Sequence, residues 1–105
     1  MPDHPLELGW MRIFVEVARL GSFSSAAALL GLTQPAVSYQ IRRLEEQFGV
    51  SLLRRQHRGV TLTAEGERLL DVTAKVVGDI DALARSFRAE AQRPVPQKPQ
   101  NQQSQ

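Results

Sequence analysis

The stretch TQPAVSYQIRRLEE, residues 33–46, decides the predicted fold. Val37, Ile41 and Leu44 recur at spacings of four and three, which places these apolar side chains on one face of a helix. Thr33 can cap this helix, and Pro35 falls in the first turn, where its missing N–H leaves no hydrogen bond unmade. The opposite face carries a row of polar side chains: Gln34, Ser38 and Arg42.

Two further helices are predicted before this stretch. The first covers residues 6–20, where apolar side chains recur at helical spacing, and the second covers residues 23–30, which include three alanines of high helix propensity. Ser22 can cap the second helix, and Phe48 is expected to extend the inward apolar face of the third. Only three residues, including a glycine, separate the second and third helices, which is typical of a helix-turn-helix.

The hydrophobic period changes after the third helix. In residues 52–63, short runs on either side of Gly59 predict a small β-hairpin, which would form a wing. Thr63 can then cap a long helix over residues 64–91, too long for so small a core to cover, so its far half is expected to pack on a second copy. The predicted dimerisation side chains recur along it at spacings of four and three: Leu69, Thr73, Val76, Ile80, Leu83 and Phe87.

The predicted fold class is therefore mainly α. Three helices and a small β-hairpin form a winged helix-turn-helix over residues 1–63, and a long linker or dimerisation helix follows over residues 64–91. Residues 92–105 are rich in proline and glutamine and carry too few apolar side chains to offset the entropy of ordering. This last stretch is predicted to be a disordered tail.

Composition limits the possible classes of function. The 105 residues suit one small domain, no apolar run approaches the ~18 residues of a membrane span, and the N-terminus lacks the order of a secretory signal. The chain has no cysteine, which excludes a disulfide framework and fits a reducing cytoplasm. His57 stands alone and no catalytic set of residues is visible, so no metal, cofactor or enzyme activity is predicted.

The distribution of charge is more informative than its total. The formal net charge is only +2, but residues 42–58 hold five arginines against two glutamates. Arginine suits paired contacts with phosphate or guanine. Because neighbouring strand residues point to opposite faces, Arg54 and Arg55 cannot both face a ligand. Arg55 and Arg58 are expected to face DNA, and the alternative is a solvated charged hairpin.

The polar face of the third helix is the predicted recognition surface. A major groove admits one helix, and its base edges present patterns that Gln and Arg can match with paired hydrogen bonds. Residues near the helix N-terminus usually make such contacts, which here are Gln34, Ala36 and Ser38. Arg42 can contact DNA or pair with a glutamate of its own helix. The plainer alternative is a solvated helix face, but the short turn before it and the arginine-bearing hairpin after it favour DNA.

Two segments, residues 14–55 and 60–70, resemble the LysR-type transcriptional regulators. The motifs GSFSSAA, TQPAVS and LTAEG occur in the order and spacing of that family, and the resemblance spans residues 6–91. It implies a bacterial, cytoplasmic, nucleoid-associated protein that binds double-stranded promoter DNA as a homodimer, with a tetramer as an option in a full-length form. By resemblance, Gln34, Pro35, Ser38 and Tyr39 contact the major groove, Arg55 or Arg58 reaches the minor groove, and Ser22 and Ser24 hold phosphates.

The sequence departs from the family in two places. Arginine is usual where Tyr39 stands, and a tyrosine cannot make a forked contact with guanine, so site preference does not carry over from relatives. Family members usually continue into an effector-binding domain, whereas here a proline- and glutamine-rich stretch follows Ala91. The expectation is a shortened form or a stand-alone DNA-binding protein, to which no small-molecule effector can be assigned.

Two other classes of function stay open from the sequence. One is a protein-interaction module that forms mixed dimers through the long helix without specific DNA binding. The other is a non-specific architectural binder, which the modest net charge and the presence of only two lysines disfavour. The polar row on the third helix and the wing arginines argue against the interaction module, which would not need them.

Overall fold

The computed structural model describes residues 8–93 and confirms the predicted fold class. Of the expectations above, those on residues 1–7, including the predicted start of the first helix at residue 6, and on residues 94–105 of the tail lie outside the described residues. The long helix extends to Gln92, one residue beyond the predicted end. The elements follow in the order α1 Leu8–Leu20, α2 Phe23–Leu30, α3 Gln34–Phe48, β1 Leu53–Gln56, β2 Gly59–Leu62 and α4 Ala64–Gln92.

Three of the helices begin at the hydroxyl caps that the sequence predicts. The side-chain oxygens of Ser22, Thr33 and Thr63 accept hydrogen bonds from the backbone N–H groups three residues further on, at 3.0, 3.2 and 2.9 Å. These bonds satisfy N–H groups that have no partner inside the helix. Gly31 and Gly49 end α2 and α3 with φ values of +71°, a conformation that glycine adopts without strain.

The wing is a two-stranded antiparallel hairpin with a two-residue turn at His57 and Arg58. Its register pairs Leu53 with Leu62 and Gln56 with Gly59. The Val60 N–H donates to the Gly21 carbonyl oxygen at 3.0 Å, which docks β2 on the turn between α1 and α2. The hairpin is therefore attached to the helical body at Val60 as well as at its base.

The hydrophobic core is built around α1. Phe14 and Val17 of α1 are fully buried, together with Val37 of α3 and Leu52 just before β1. Phe48 does not join this core as expected: it is 43% exposed. Its ring lies edge-on to Trp10, with centroids 6.2 Å apart, and lines an open groove between α1, the end of α3 and α4.

The backbone of residues 51–53, called here the 51–53 segment, connects α3, the wing and α4. The Glu45 carboxylate oxygen Oε2 accepts the N–H groups of Leu52 and Leu53 at 2.8 and 3.2 Å. From the other side, the Thr63 N–H donates to the Leu52 carbonyl oxygen at 3.0 Å, and the Thr63 hydroxyl donates to the Ser51 carbonyl oxygen at 2.7 Å. The three elements therefore share one short stretch of hydrogen-bonded backbone.

The first half of α4 packs on the domain, and its second half projects beyond it. Thr73 is 1% exposed and its hydroxyl donates to the Leu69 carbonyl oxygen at 2.9 Å, so Thr73 faces its own chain and not the outer surface of α4. Further along, both terminal nitrogens of Arg12 donate to the Asp81 carboxylate at 3.2 and 2.7 Å. These hydrogen bonds lower the pKa of Asp81 below its ordinary value of 3.8.

None of the helices within residues 8–93 is long and apolar enough to cross a membrane.

Gly66 provides a test of the packing at the start of α4. A Cβ at this position would overlap the carbonyl oxygen of Leu52, whereas a Cβ at Gly78 in the same helix would meet nothing within 4 Å. We expect Gly66→Ala to lower the free energy of unfolding by about 1–3 kcal/mol. Gly78→Ala should raise it by about 0.5–1 kcal/mol, because alanine is the better helix former.

Urea denaturation of both variants and the parent chain measures this difference. Equal stability of Gly66→Ala and Gly78→Ala would show that α4 does not approach the 51–53 segment this closely.

Candidate nucleic-acid interface

The polar row of α3 lies outside the core, beside the buried face of the helix and not opposite it as the sequence predicts. Val37, Ile41 and Leu44 are buried on one side of the helix. Gln34 and Arg42 are exposed about a quarter turn around the helix from these residues, with Ser38 half-buried between them. Pro35 is exposed in the first turn and Ala36 is half-buried beside it. The first two turns of α3 thus present a small, mostly polar surface to the outside.

The wing brings an arginine to the same surface. The Arg55 guanidinium lies 4.4 Å from the centroid of the Phe23 ring, a cation–π contact between β1 and the start of α2. Arg55, Ser38 and Arg42 line one shallow cleft between the wing and α3. The structure therefore brings together three of the residues predicted for DNA contact. Arg58 is exposed at the hairpin turn.

Arg42 does not form the intrahelical ion pair that was the alternative to DNA contact. Glu45 is engaged by the 51–53 segment, and within residues 8–93 no hydrogen bond or ion pair joins Arg42 to Glu45 or Glu46. Arg42 also lies on the exposed side of the helix. Its guanidinium group can thus reach a ligand without first breaking a bond to either glutamate.

Tyr39 is half exposed beside the polar row. The residue is 49% exposed, and its hydroxyl oxygen accepts a long hydrogen bond of 3.4 Å from Arg43. The Arg43 guanidinium also lies 5.9 Å from the centroid of the ring. Tyr39 thus covers part of its neighbour and still presents one side of its ring to the outside.

Ser22 and Ser24 lie together at the start of α2 but differ in their contacts. The Ser22 oxygen accepts the cap hydrogen bond described above, and its hydroxyl hydrogen is left to donate elsewhere. Ser24 is exposed in the first turn. Both hydroxyls lie at the positive end of the helix dipole, where negative charge is favoured.

A second exposed surface runs along the outer side of α4. Its apolar side chains are Val76, Ile80, Leu83 and Phe87, which are 36, 43, 49 and 59% exposed. Leu69, also predicted for dimerisation, is half-buried near the core. We call these four exposed residues, together with the 61% exposed Val72, the α4 stripe.

The α4 stripe continues into an apolar groove between α1, the end of α3 and α4. The groove has a volume of about 560 Å³ and is lined by Trp10, Phe48, Val50, Val72 and Val76, among others. The Trp10 indole N–H is buried and makes no hydrogen bond with any described residue. Stripe and groove together form one apolar surface on the side of the molecule where α4 projects.

Residues 8–93 contain no group of three or more His, Cys, Asp or Glu side chains arranged to hold a metal ion. The side chains of the candidate interface are amides, hydroxyls and guanidinium groups, which bind by hydrogen bonding and charge.

A helix-turn-helix followed by a two-stranded wing and a long helix is the fold of winged DNA-binding domains. Residues 8–67 match the family described as bacterial regulatory helix-turn-helix protein, lysR family. The regulator AbaB of Streptomyces antibioticus is 49% identical over 81 residues, which cover 77% of this chain and 27% of AbaB. The regulator BudR of Klebsiella aerogenes is 45% identical over 83 residues, which cover 79% of this chain and 58% of BudR.

A solved structure agrees with these matches. In the crystal structure of the BenM DBD in complex with catB site 1 DNA, the protein has a TM-score of 0.73 and 34% identity, over 86% of this chain and 100% of that one. The chain therefore belongs to the LysR family of bacterial regulatory helix-turn-helix proteins, which confirms the resemblance. Both of these relatives are named as transcriptional regulators.

Sequence reasoning missed two residues at this interface. Phe23 was read only as part of the short helix, and its contact with Arg55 depends on how the wing packs. Glu45 was read only as a possible partner of Arg42, whereas it binds the backbone at the base of the wing. No sequence pattern reports either contact, because each joins residues from different elements.

Two substitutions test whether Ser22 stabilises the start of α2 as its cap, independently of any role that Ser22 and Ser24 have in ligand binding. We expect Ser22→Ala to lower the free energy of unfolding by about 1 kcal/mol, because the Ser25 N–H loses its acceptor. Ser24→Ala removes an exposed hydroxyl from the same turn and should change stability by less than ~0.5 kcal/mol. Thermal or urea denaturation measures both variants. Equal losses would mean that Ser22 has no special part in starting α2.

Proposed function

We propose that this chain is the DNA-binding and dimerisation part of a bacterial transcriptional regulator that recognises a specific double-stranded promoter sequence. The observation that carries the proposal is the shared cleft of Ser38, Arg42 and Arg55, which places the polar row of α3 and the wing on one side of the molecule. The chain spans only 27% and 58% of the two regulators compared above, so the activity of a whole regulator is part of the proposal.

In the proposed complex, α3 enters the major groove. Gln34, Pro35, Ala36, Ser38 and Tyr39 occupy its first two turns, which is where helices of this kind contact base edges. The Gln34 amide can pair with adenine through two hydrogen bonds, and Arg42 can reach a base or a phosphate one turn later. The Tyr39 ring can contact a thymine methyl group.

In the same complex, the wing and α2 hold the duplex backbone. Arg55 and Arg58 extend from the hairpin toward the neighbouring minor groove, and Ser22 and Ser24 can donate to a phosphate at the start of α2. These contacts fix the position of the duplex and carry little sequence information. Support comes from the solved BenM complex, whose protein shares this fold and which contains DNA.

We further propose a homodimer formed through the α4 stripe. Val72 and Phe87 lie equally far from the midpoint of this stripe, as do Val76 and Leu83, and Ile80 lies next to the midpoint. Two copies related by a twofold axis can therefore pair antiparallel, with Phe87 of each copy at the apolar groove of the other. Such a pair covers the apolar surface that one chain leaves exposed, and a tetramer stays open for a longer form.

The proposed location is the cytoplasm of a bacterium, at the nucleoid, because promoter DNA is found there. A module that pairs through α4 without binding DNA is not favoured, since it gives no use to the exposed amide, hydroxyl and guanidinium groups of α3 and the wing. No small-molecule effector is proposed for this chain.

Selection of bound sequences from a random duplex pool tests the proposal. We expect enrichment of an inverted repeat whose half-sites lie about one helical turn, ~34 Å, or a multiple apart. A pool that stays random after repeated rounds would contradict specific recognition.

The roles of helix and wing can be separated by substitution. Gln34→Ala should lose about 1–3 kcal/mol on the selected sequence and little on random DNA, because it removes a base contact. Gln40→Ala, an exposed glutamine off the polar row of the same helix, is the control and should bind normally. Arg58→Ala should weaken binding to both DNAs alike and reduce the salt slope by about 1. Fluorescence anisotropy across a salt series measures all three variants.

The opposite pattern would contradict these assignments. If Gln34→Ala weakened binding to selected and random DNA equally, α3 would not read the bases.

Dimerisation has its own test. Leu83→Lys places a charge in the middle of the α4 stripe and should convert the dimer to a monomer, because a buried unpaired charge costs several kcal/mol. Ala82→Lys adds the same charge at an exposed position on another side of α4 and should stay dimeric. Sedimentation equilibrium of both variants distinguishes these outcomes. A Leu83→Lys protein that remains a dimer would show that copies pair elsewhere.

A further inference from the structure

We infer that Glu45 is a positioning residue for DNA binding. Its carboxylate holds the wing in the orientation, relative to α3, in which both elements contact the same duplex. Glu45 itself need not touch DNA. The inference rests on the proposed function, because it concerns how the wing and α3, two parts of the proposed DNA interface, are held in position relative to each other.

The first support is the geometry of the Glu45 carboxylate. One oxygen, Oε2, accepts the backbone N–H groups of both Leu52 and Leu53, at 2.8 and 3.2 Å. Hydrogen bonds to an ionised acceptor are stronger than those between neutral groups. Leu52 and Leu53 are both buried, so their N–H groups would be costly to leave without an acceptor. Glu45 is thus a strong link between α3 and the base of the wing.

The second support is the path from this link to the DNA-binding arginines. Leu53 is the first residue of β1, and Arg55 lies two residues further on, so the two side chains project from the same face of the strand. Glu45, Leu53 and Arg55 line the same cleft as Ser38 and Arg42. A change in the position of the Leu53 backbone therefore moves Arg55 relative to the polar row.

The third support is that a glutamate at this position is unfavourable for DNA binding by its charge alone, which indicates that it serves another purpose. A carboxylate close to a phosphate backbone weakens binding of DNA, and a neutral residue would avoid that repulsion. Here the two N–H donors partly offset the negative charge on the side facing the cleft. Glu45 is also half-buried, while its neighbour Glu46 is exposed and makes no side-chain hydrogen bond within residues 8–93.

The wing should stay folded when Glu45 is replaced, because other contacts also hold it. The Val60 N–H donates to the Gly21 carbonyl oxygen, and Thr63 binds the backbone of Ser51 and Leu52. Loss of the carboxylate is therefore expected to loosen the wing relative to α3 without unfolding the domain. This makes its effect on binding measurable.

A double-mutant cycle on the complete chain tests the inference. Arg58→Ala is measured in the parent chain and in the Glu45→Ala background, with the selected duplex, by anisotropy across a salt series. In the parent chain, Arg58→Ala should reduce the salt slope by about 1. In the Glu45→Ala background it should have almost no further effect, because a loosened wing no longer holds Arg58 against the duplex.

Two variants control for charge and for geometry. Glu46→Ala removes the same charge from the next position, and Arg58→Ala should keep its full effect in that background. Glu45→Gln keeps an oxygen that can accept the two N–H groups and should restore most of the effect of Arg58→Ala. If Glu45→Ala fails to fold by circular dichroism, Glu45→Asp replaces it, because its shorter side chain keeps the charge and withdraws the oxygen from both N–H groups.

The outcomes separate this inference from the proposed function. If Arg58→Ala reduces the salt slope equally in the parent, Glu45→Ala and Glu46→Ala backgrounds, the inference is wrong and the proposed function stands. If the parent chain shows no specific binding and no effect of Arg58→Ala, the proposed function is wrong and the inference falls with it. If Arg58→Ala loses its effect on the salt slope in the Glu45→Ala background but keeps it in the Glu46→Ala and Glu45→Gln backgrounds, the inference and the proposed function are both supported.

Discussion

The structure depends on the hydrogen bonding of the 51–53 segment. Leu52 and Leu53 of this segment are buried between α3, the wing and the start of α4, so their polar backbone groups must find acceptors and donors inside the protein. Glu45 supplies the acceptor for two N–H groups, and Thr63 binds two carbonyl oxygens from the opposite side. Gly66 allows α4 to begin close to the Leu52 carbonyl group, where a larger residue would overlap it. One short segment thereby sets the directions of three elements.

The two outward surfaces follow from these directions. Because the apolar side of α3 is used by the core, its amide, hydroxyl and guanidinium groups face outward beside Arg55 of the wing. α4 begins against the Leu52 carbonyl group and is bonded to α1 by the Arg12–Asp81 pair, and its apolar stripe stays exposed outside the core. In the proposed arrangement, the polar and charged surface of α3 and the wing binds DNA, and the apolar stripe of α4 binds a second copy of the chain.

Sequence alone was sufficient for features that depend on neighbouring residues. The caps at Ser22, Thr33 and Thr63 were predicted correctly, because each involves a backbone N–H only three residues away.

Features that depend on contacts between distant elements were not predicted from the sequence. Phe48 continues the apolar spacing of α3 yet is 43% exposed, since it lines the open apolar groove and not the closed core. Thr73 fits the predicted spacing of the dimerisation side chains yet is buried, since it lies at the edge of that series next to the buried Val77, on the side of α4 that packs on the domain. The links made by Glu45 and Phe23 join different elements and leave no periodic signal.

Mapping of backbone amide signals by NMR during titration with the selected duplex shows which face of the molecule contacts DNA. We expect the largest shifts at residues 33–43 and 54–59, on the polar side of α3 and in the wing. Amides along the outer side of α4, residues 76–87, should change little, because the dimer exists before DNA is added. Shifts confined to α4 and the apolar groove, with α3 and the wing unchanged, would contradict the proposed DNA interface.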